Sequence, residues 1–222
     1  MPATSPPPPE PPLTAVVVVI LTVVEDDLRV LLIHRAAEPY GGFWALPGGL
    51  LGEGESLDRA AARKLHDETG VRDVYLEQLY TFGELPRGDH ARRGVAVTYF
   101  ALVQYGQVRL AERTEWAPEW HSVYKLPVLA FDNNAVVDYA LRRLRSKLEY
   151  TNVAYSLLPR QFTLSDLQQV YEAILDRELD KRNFRRRMLS LGVIKPAGGR
   201  RMEGAHRPAQ LYTFTKREPV MV

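Results

Sequence analysis

The stretch GGFWALPGGLLGEGESLDRAAARKLHDETGV, Gly41–Val71, joins a glycine-rich loop to a helix. Its first half is loop: glycines and Pro47 punctuate Gly41–Glu55 and leave no periodic apolar face. Its second half is helix: Leu57, Ala61 and Leu65 recur on one side from Leu57 to Thr69, and Gly70 supplies the stop. A glycine loop running into a helix brings backbone N–H groups close to a bound phosphate, because glycine permits close approach.

Strand signals surround this unit. Two apolar runs, Ala15–Val24 and Arg29–Arg35, are separated by Glu25-Asp26-Asp27 and read as a hairpin or adjacent strands. Tyr75–Thr81 and Val95–Val103 follow as strands, the latter with Val95, Val97 and Tyr99 in alternation, and a helix is expected from about Asn134 to Lys147. Strands mixed with a few helices indicate an α/β sandwich.

From Thr163 the pattern changes. Thr163-Leu164-Ser165-Asp166 fits a capping box, and Leu164, Leu167, Val170, Tyr171, Ile174 and Leu175 continue at helical spacing. After a break at Arg177–Leu179, a second helix is expected over Asp180–Leu191, ended by Gly192. Val193–Ile194 and Leu211–Phe214 flank a Gly- and Arg-rich loop. Helix, break, helix, hairpin is the order of a winged helix-turn-helix. The expected organisation is a disordered Pro-rich tail at 1–12, with seven prolines, a ligand-sensing domain at 13–150, and a DNA-binding domain at 151–222.

Charge divides at the same place. Residues 1–150 carry 16 Lys and Arg against 20 Asp and Glu, a net of −4; residues 151–222 carry 13 against 7, a net of +6. A basic end on an acidic body points to a polyanionic partner, with a solvated basic tail as the alternative. In the second helix Phe184, Met188 and Leu191 project to one side as core. Arg182 and Arg186 lie nearly opposite, with Lys181, Asn183 and Arg185 on the flanks and Arg187 nearer the core edge. That basic outer face suits a DNA major groove, and Lys195, Arg200, Arg201, His206 and Arg207 in the wing suit phosphates or a minor groove. Asp180 is the one acidic residue among eight Lys and Arg from Asp180 to Arg201, which disfavours mere solvation of the helix.

Other classes are disfavoured. The chain has no Cys, so a disulfide framework and a Cys-ligated zinc site are excluded. His34, His66, His90, His121 and His206 show no metal-ligand spacing. The apolar run Ala15–Val24 is about half of what a bilayer span needs, and no basic segment precedes it. A cytoplasmic protein with no membrane association is expected.

The segment Gly49–Val71 resembles the Nudix box: Gly49, Glu55, Arg63, Leu65, Glu68, Gly70 and Val71 fall in register behind Leu46-Pro47-Gly48-Gly49. The resemblance implies a Nudix α/β/α sandwich, phosphate contacts at Gly48 and Gly49, and metal-dependent hydrolysis of a nucleoside diphosphate. The sequence departs from the pattern where Lys64 replaces the first helix Glu and Asp67 the next. A fixed cation then competes with Mg²⁺ for Asp67 and Glu68, and the loss of a metal ligand costs on the order of a thousandfold in rate. Binding without efficient hydrolysis is expected, with no cofactor required and the catalytic remnant reduced to Glu55, Arg63, Lys64, Asp67 and Glu68. Arg35 would reach a phosphate. Phe43 and Trp44 either stack on a base or pack in the core, packing being favoured for Trp44. Glu84, Asp89, Arg92 and Arg93, in a polar loop, look like the substrate-contacting loop of ADP-ribose pyrophosphatases; a solvated loop is the alternative.

The segments Trp120–Asn133, Leu157–Ile194 (with Tyr171-Glu172 and Asp180–Arg186) and Arg207–Tyr212 are similar to the Nudix-related transcriptional regulators of NAD metabolism, the NrtR family. The resemblance implies a homodimeric repressor of NAD biosynthesis or salvage genes. Its partners would be double-stranded operator DNA and an effector, ADP-ribose or a related nucleotide or sugar. The helix Asn134–Lys147 would link the domains and carry part of the dimer contact. The alternatives are a Mg²⁺-dependent ADP-ribose pyrophosphatase with a basic appendage, and a winged helix that contacts protein rather than DNA.

Overall fold

The computed structural model describes residues 12–72, 74–83, 94–110, 117–202 and 208–221. The Pro-rich stretch up to residue 11 lies outside them, as do Glu84, Asp89, His90, Arg92, Arg93, His206 and Arg207.

The chain opens with β1 (Leu13–Val24) and β2 (Asp27–His34), which pair antiparallel across a two-residue turn. Glu25 and Asp26 both have positive φ, 52° and 59°, the backbone whose twist matches the flanking strands. Then come β3 (Trp44–Ala45), β4 (Gly48–Leu50), α1 (Leu57–Thr69), β5 (Tyr75–Phe82), β6 (Gly94–Leu102), β7 (Glu119–Ser122) and α2 (Asn133–Tyr150). Among the described residues these strands form one mixed sheet in the order β3-β2-β1-β6-β5, with β4 added to β1 and β7 to β2. β1 runs parallel to β6 from Leu13 to Leu21. Its other edge is shared: β4 takes Ala15–Val17 and β2 takes Leu21–Val24.

Burial on both faces explains why β1 reads as an unbroken apolar run rather than an alternation. Val16, Val18 and Ile20 join Ala60, Ala61 and Leu65 under α1. Val17, Val19 and Leu21 face the opposite layer, with Val136, Val137, Ala140 and Leu144 of α2. β6 behaves the same way: Val97 and Tyr99 go to the α1 side, Ala96, Phe100 and Leu102 to the α2 side. The sheet is therefore the middle of three layers. Each fully buried Val or Leu contributes about 1.5–3 kcal/mol, so strand order and layering are fixed together.

α1 has the limits its periodicity predicts. Ser56 caps it by accepting from the Arg59 N–H, and Gly70, at φ 68°, closes it by donating to His66 O at 2.7 Å. α2 runs three residues past the expected Lys147.

The C-terminal part comprises β8 (Phe162–Thr163), α3 (Leu164–Leu175), α4 (Lys181–Ser190), β9 (Ile194–Arg201) and β10 (Ala209–Phe214). The expected capping box forms: Thr163 Oγ1 accepts from Asp166 N at 3.1 Å, and Asp166 Oδ2 accepts from Thr163 N at 2.8 Å. Asp180 caps α4 through Asn183 N at 2.8 Å. One expectation is corrected. β9 continues to Arg201 by pairing antiparallel with β10, so Arg200 and Arg201 stand on a strand and not in a loop.

Packing is continuous across Tyr150. Val153, Ala154, Leu157 and Leu158 join Val19, Val30, Leu144, Leu167, Ile174, Phe184 and Met188 in one buried cluster. No helix among the described residues is long and apolar enough to cross a membrane.

Candidate functional site

The cradle lies where β1 changes partners. Between the β4 and β2 pairings, Val18 N donates to Pro47 O at 2.9 Å. A cavity of about 390 Å³ opens there, walled by Ala15, Val17, Ile33, Arg35, Gly48 and Gly49 and closed by Phe131 and Asn133 from the start of α2. Gly48 is sterically required, and Gly49 stands close to a flexible side chain. A β-carbon on Gly48 would stand 3.0 Å from Val16 O and 3.3 Å from Val17 Cα, both backbone. One on Gly49 would meet Lys64, at 3.2 Å from Cε and 3.4 Å from Nζ.

Arg35 follows β2 and sits in this cavity. Its guanidinium donates to Pro39 O at 3.0 Å and Ala37 O at 3.4 Å, and lies 5.0 Å from the Phe131 ring centroid. Burial pushes its pKa down, with Glu38 acting against that. Neutral carbonyls are the acceptors, so the cation is available to an anion. Phe43 is 43% exposed and does not line the cavity; its ring stands edge-on to Tyr40 at 5.9 Å. Trp44 packs, its ring between His34 at 5.1 Å and His121 at 4.6 Å. Phe131 and Asn133 fall within the family-like segment Trp120–Asn133, but nothing in it marks them as cavity residues. Asn133 Oδ1 accepts from Leu46 N at 2.9 Å, and Phe131 has φ 56°; neither feature has a one-residue sequence signal.

The helix side of the cradle holds the degenerate carboxylate set. Arg63 binds Glu55 through two parallel bonds, Nε–Oε1 and Nη2–Oε2, both 2.8 Å. That contact is the main reason the Glu55 carboxyl is held below the usual range. Asp67 lies 3.8 Å from Arg63 Nη1. Glu68 is buried, at 3% exposure. Lys64 extends to Gly49. These residues do not fit a divalent cation, which needs several converging oxygens. Glu55 is already held by Arg63 and by Gly52 N, and position 64 contributes a charge of the wrong sign. Among the described residues no three His, Cys, Asp or Glu side chains group so as to hold a metal.

The second candidate surface is α4. Phe184 and Met188 are buried, and Tyr171 meets the Phe184 ring at 5.2 Å, which anchors α4 on α3. Lys181, Arg182, Asn183 and Arg186 are exposed, as the helical spacing requires. Arg186 Nη2 donates to Asn183 Oδ1 at 3.1 Å. Arg185 is half-buried, with its Nε out of solvent, and is less available. Arg187 is exposed and reaches Glu149 O on α2 at 3.5 Å. Arg200 is exposed on β9, whereas Arg201 forms a 2.6 Å ion pair with Asp166 at the start of α3. Lys195 is exposed.

The two surfaces are joined through the end of α3. Tyr124 Oη donates to Ala173 O at 2.6 Å and Ile174 O at 3.1 Å, and Arg145 Nε to Ile174 O at 2.8 Å. The last carbonyls of a helix have no intrahelical partner, and here the sheet-and-α2 body supplies their donors.

Comparison with known proteins agrees with this geometry. The Nudix domain family model matches residues 13–144, and the model described as the NrtR DNA-binding winged helix domain matches 154–214. The chain is 40% identical over 193 residues to the "ADPR responsive transcriptional repressor NtrR" of Acinetobacter baylyi, covering 84% of this chain and 76% of that one. It resembles the crystal structure of Shewanella oneidensis NrtR complexed with a 27mer DNA, at TM-score 0.80 and 35% identity, over 91% of this chain and 93% of that one. It also resembles the NUDIX domain of that protein complexed with ADP ribose, at TM-score 0.53 and 35% identity, over 61% of this chain and 90% of that one. Fold and site thus define a Nudix domain joined to a winged helix. Within that class the chain belongs to the NrtR family.

Proposed function

We propose that the protein is a transcriptional repressor that holds operator DNA through its winged helix and releases it when ADP-ribose, or a closely related nucleotide, enters the Nudix cavity. The carrying observation is Lys64, a cation seated against Gly49 in the phosphate cradle. It favours recognition of a diphosphate while opposing the metal that would cleave it. The effector's phosphates would meet Arg35, Gly48 and Gly49. Phe131 would face its base or sugar, a role for which the exposed Phe43 is less well disposed. Glu84, Asp89 and Arg93, which lie outside the described residues, are proposed as further ligand contacts on the sequence alone. No metal is required for this function.

Residues 13–150 would act as the sensor and 151–222 as the DNA-binding domain, behind the Pro-rich tail. In the latter, Lys181, Arg182, Asn183 and Arg186 would enter the major groove, with Arg185 secondary. Lys195, Arg200, His206 and Arg207 would contact phosphates. Arg201, tied to Asp166, would chiefly brace the wing. The protein would act in the cytoplasm as a homodimer, since two half-sites one helical turn apart match a two-fold pair of recognition helices. Its targets would be genes of NAD biosynthesis or salvage.

Fluorescence anisotropy with a duplex from upstream of its own gene tests this reading. ADP-ribose should weaken duplex binding. Duplex affinity that ignores saturating ADP-ribose contradicts it.

A further inference from the structure

The cavity and the recognition helix are connected by a short strap of chain. At one end, Phe131 lies under the Arg35 guanidinium at 5.0 Å and against the Tyr40 ring at 4.7 Å. Its φ of 56° is a conformation that non-glycine residues seldom hold, so the turn is constrained by what surrounds it. At the other end, Tyr124 donates its hydroxyl to Ala173 O and Ile174 O of α3. Between them the strap is stapled. Ala130 N donates to Trp44 O at 2.8 Å, Leu129 N to Asn134 Oδ1 at 2.8 Å, and Asn134 Nδ2 to Pro127 O at 2.9 Å. A displacement at Phe131 is therefore not absorbed by slack chain.

Arg145 doubles the grip. Its Nε donates to Ile174 O at 2.8 Å, and its guanidinium lies 5.9 Å from the Tyr124 ring centroid. A cation at a helix C-terminus also meets the negative end of the helix dipole. Beyond the grip, α3 and α4 are locked as one piece. Glu172 Oε1 accepts from Leu179 N at 2.7 Å and from Gln168 Nε2 at 2.9 Å, and Gln168 Nε2 also donates to Leu179 O at 2.8 Å. Leu179 immediately precedes Asp180, the cap of α4. What moves the end of α3 moves the basic face of α4.

We propose that Tyr124 and Arg145 form a coupling clamp through which occupancy of the Arg35 cavity repositions the recognition helix. This inference rests on the reading of the chain as an effector-released DNA binder. A diphosphate is a stronger, bidentate partner for Arg35 than the carbonyls of Pro39 and Ala37. Drawing Arg35 toward it takes the cation from the face of Phe131 and changes what holds that turn. The strap carries the change to Tyr124, which shifts α3 and α4 together. An effector acts only through such a difference in affinity between two arrangements.

The test uses the full-length protein, ADP-ribose as probe and the same operator duplex, with Tyr124→Phe and the double variant Tyr124→Phe/Arg145→Met. ADP-ribose affinity is measured by calorimetry, and duplex affinity by anisotropy with and without saturating ADP-ribose. The wild-type ratio of the two duplex affinities should fall in the roughly 5- to 150-fold range of allosteric couplings. In the double variant the ratio should fall to about 1 while ADP-ribose still binds with near wild-type affinity, and Tyr124→Phe, which keeps the ring and the fold, should fall between. A responsive wild type with an equally responsive Tyr124→Phe and double variant overturns the clamp alone. A wild type that ignores ADP-ribose overturns the repressor reading, and the clamp with it.

Discussion

Lys64 lays its side chain against Gly49, so close that a β-carbon on the glycine would stand 3.4 Å from the ammonium nitrogen. A position that the Nudix pattern gives to a metal-binding carboxylate thus presents a fixed positive charge to the cradle. Lys64→Glu restores the carboxylate beside Asp67 and Glu68. It should raise Mg²⁺-dependent release of AMP from ADP-ribose by about tenfold or more, each tenfold being ~1.4 kcal/mol off the barrier. It should also weaken metal-free ADP-ribose binding, because a carboxylate repels the diphosphate. Chromatography of the products and calorimetry read the two effects; a variant with neither places the missing activity elsewhere.

The glycines at 48 and 49 should respond differently to the same substitution. At Gly48 the new methyl meets the backbone of Val16 and Val17, which β1 cannot move without giving up its pairing to β4. Gly48→Ala should destabilise the protein by about 1–3 kcal/mol, the usual cost of overpacking. At Gly49 the new methyl meets the flexible end of Lys64, which can swing away. Gly49→Ala should therefore cost less stability while still disturbing ligand affinity. Denaturant unfolding of the two variants compares them directly, and equal destabilisation would contradict the steric explanation.

Arg182 and Arg186 stand exposed on α4, opposite the buried Phe184 and Met188. Arg182→Ala with Arg186→Ala should weaken operator binding by about 1–3 kcal/mol for each arginine that reads a base edge, with ADP-ribose affinity unchanged. Wild-type affinity should fall linearly on a log–log plot against salt concentration, as counterion release requires. A flat salt plot would favour a winged helix that contacts protein.

Glu77 on β5 predicts an acid limb in the stability. Burial pushes its carboxyl pKa up, but Lys147 at 2.8 Å, the Tyr75 hydroxyl and Arg143 at 3.4 Å together pull it below its ordinary value. A depressed folded-state pKa means stability that is present above the unfolded value and is lost as pH falls through the folded one. Glu77→Gln should therefore be least stable relative to wild type near neutrality, and the two curves should converge in acid. Unfolding free energies across pH check this; parallel curves would remove Glu77 from the acid response.

Elements whose stabilising contacts are local are legible from sequence. α1 runs from Leu57 to Thr69 because its cap, apolar stripe and terminal Gly70 all lie within the quoted stretch. The capping box of α3 and the apolar stripe of α4 are equally local. β9 outruns its sequence signal because Gly198, Gly199 and the arginines carry no strand propensity; its extension to Arg201 depends on β10 as partner. In the site, Gly48, Gly49 and Lys64 can be named because the box and the Leu46–Gly49 run before it fix their places, and Arg35 because it ends a strand just before the loop. Phe131 cannot, since its role depends on a positive φ and on Arg35, 96 positions away. The grip of Tyr124 on α3 spans 49 and 50 positions, and no periodicity encodes such a pair.

On the proposed reading the nucleotide is recognised and not consumed. Titration of the operator complex with ADP-ribose in the presence of Mg²⁺, followed by anisotropy and then by analysis of the nucleotide, should show DNA released and ADP-ribose recovered intact. Release that keeps pace with the accumulation of AMP and ribose 5-phosphate would overturn that reading.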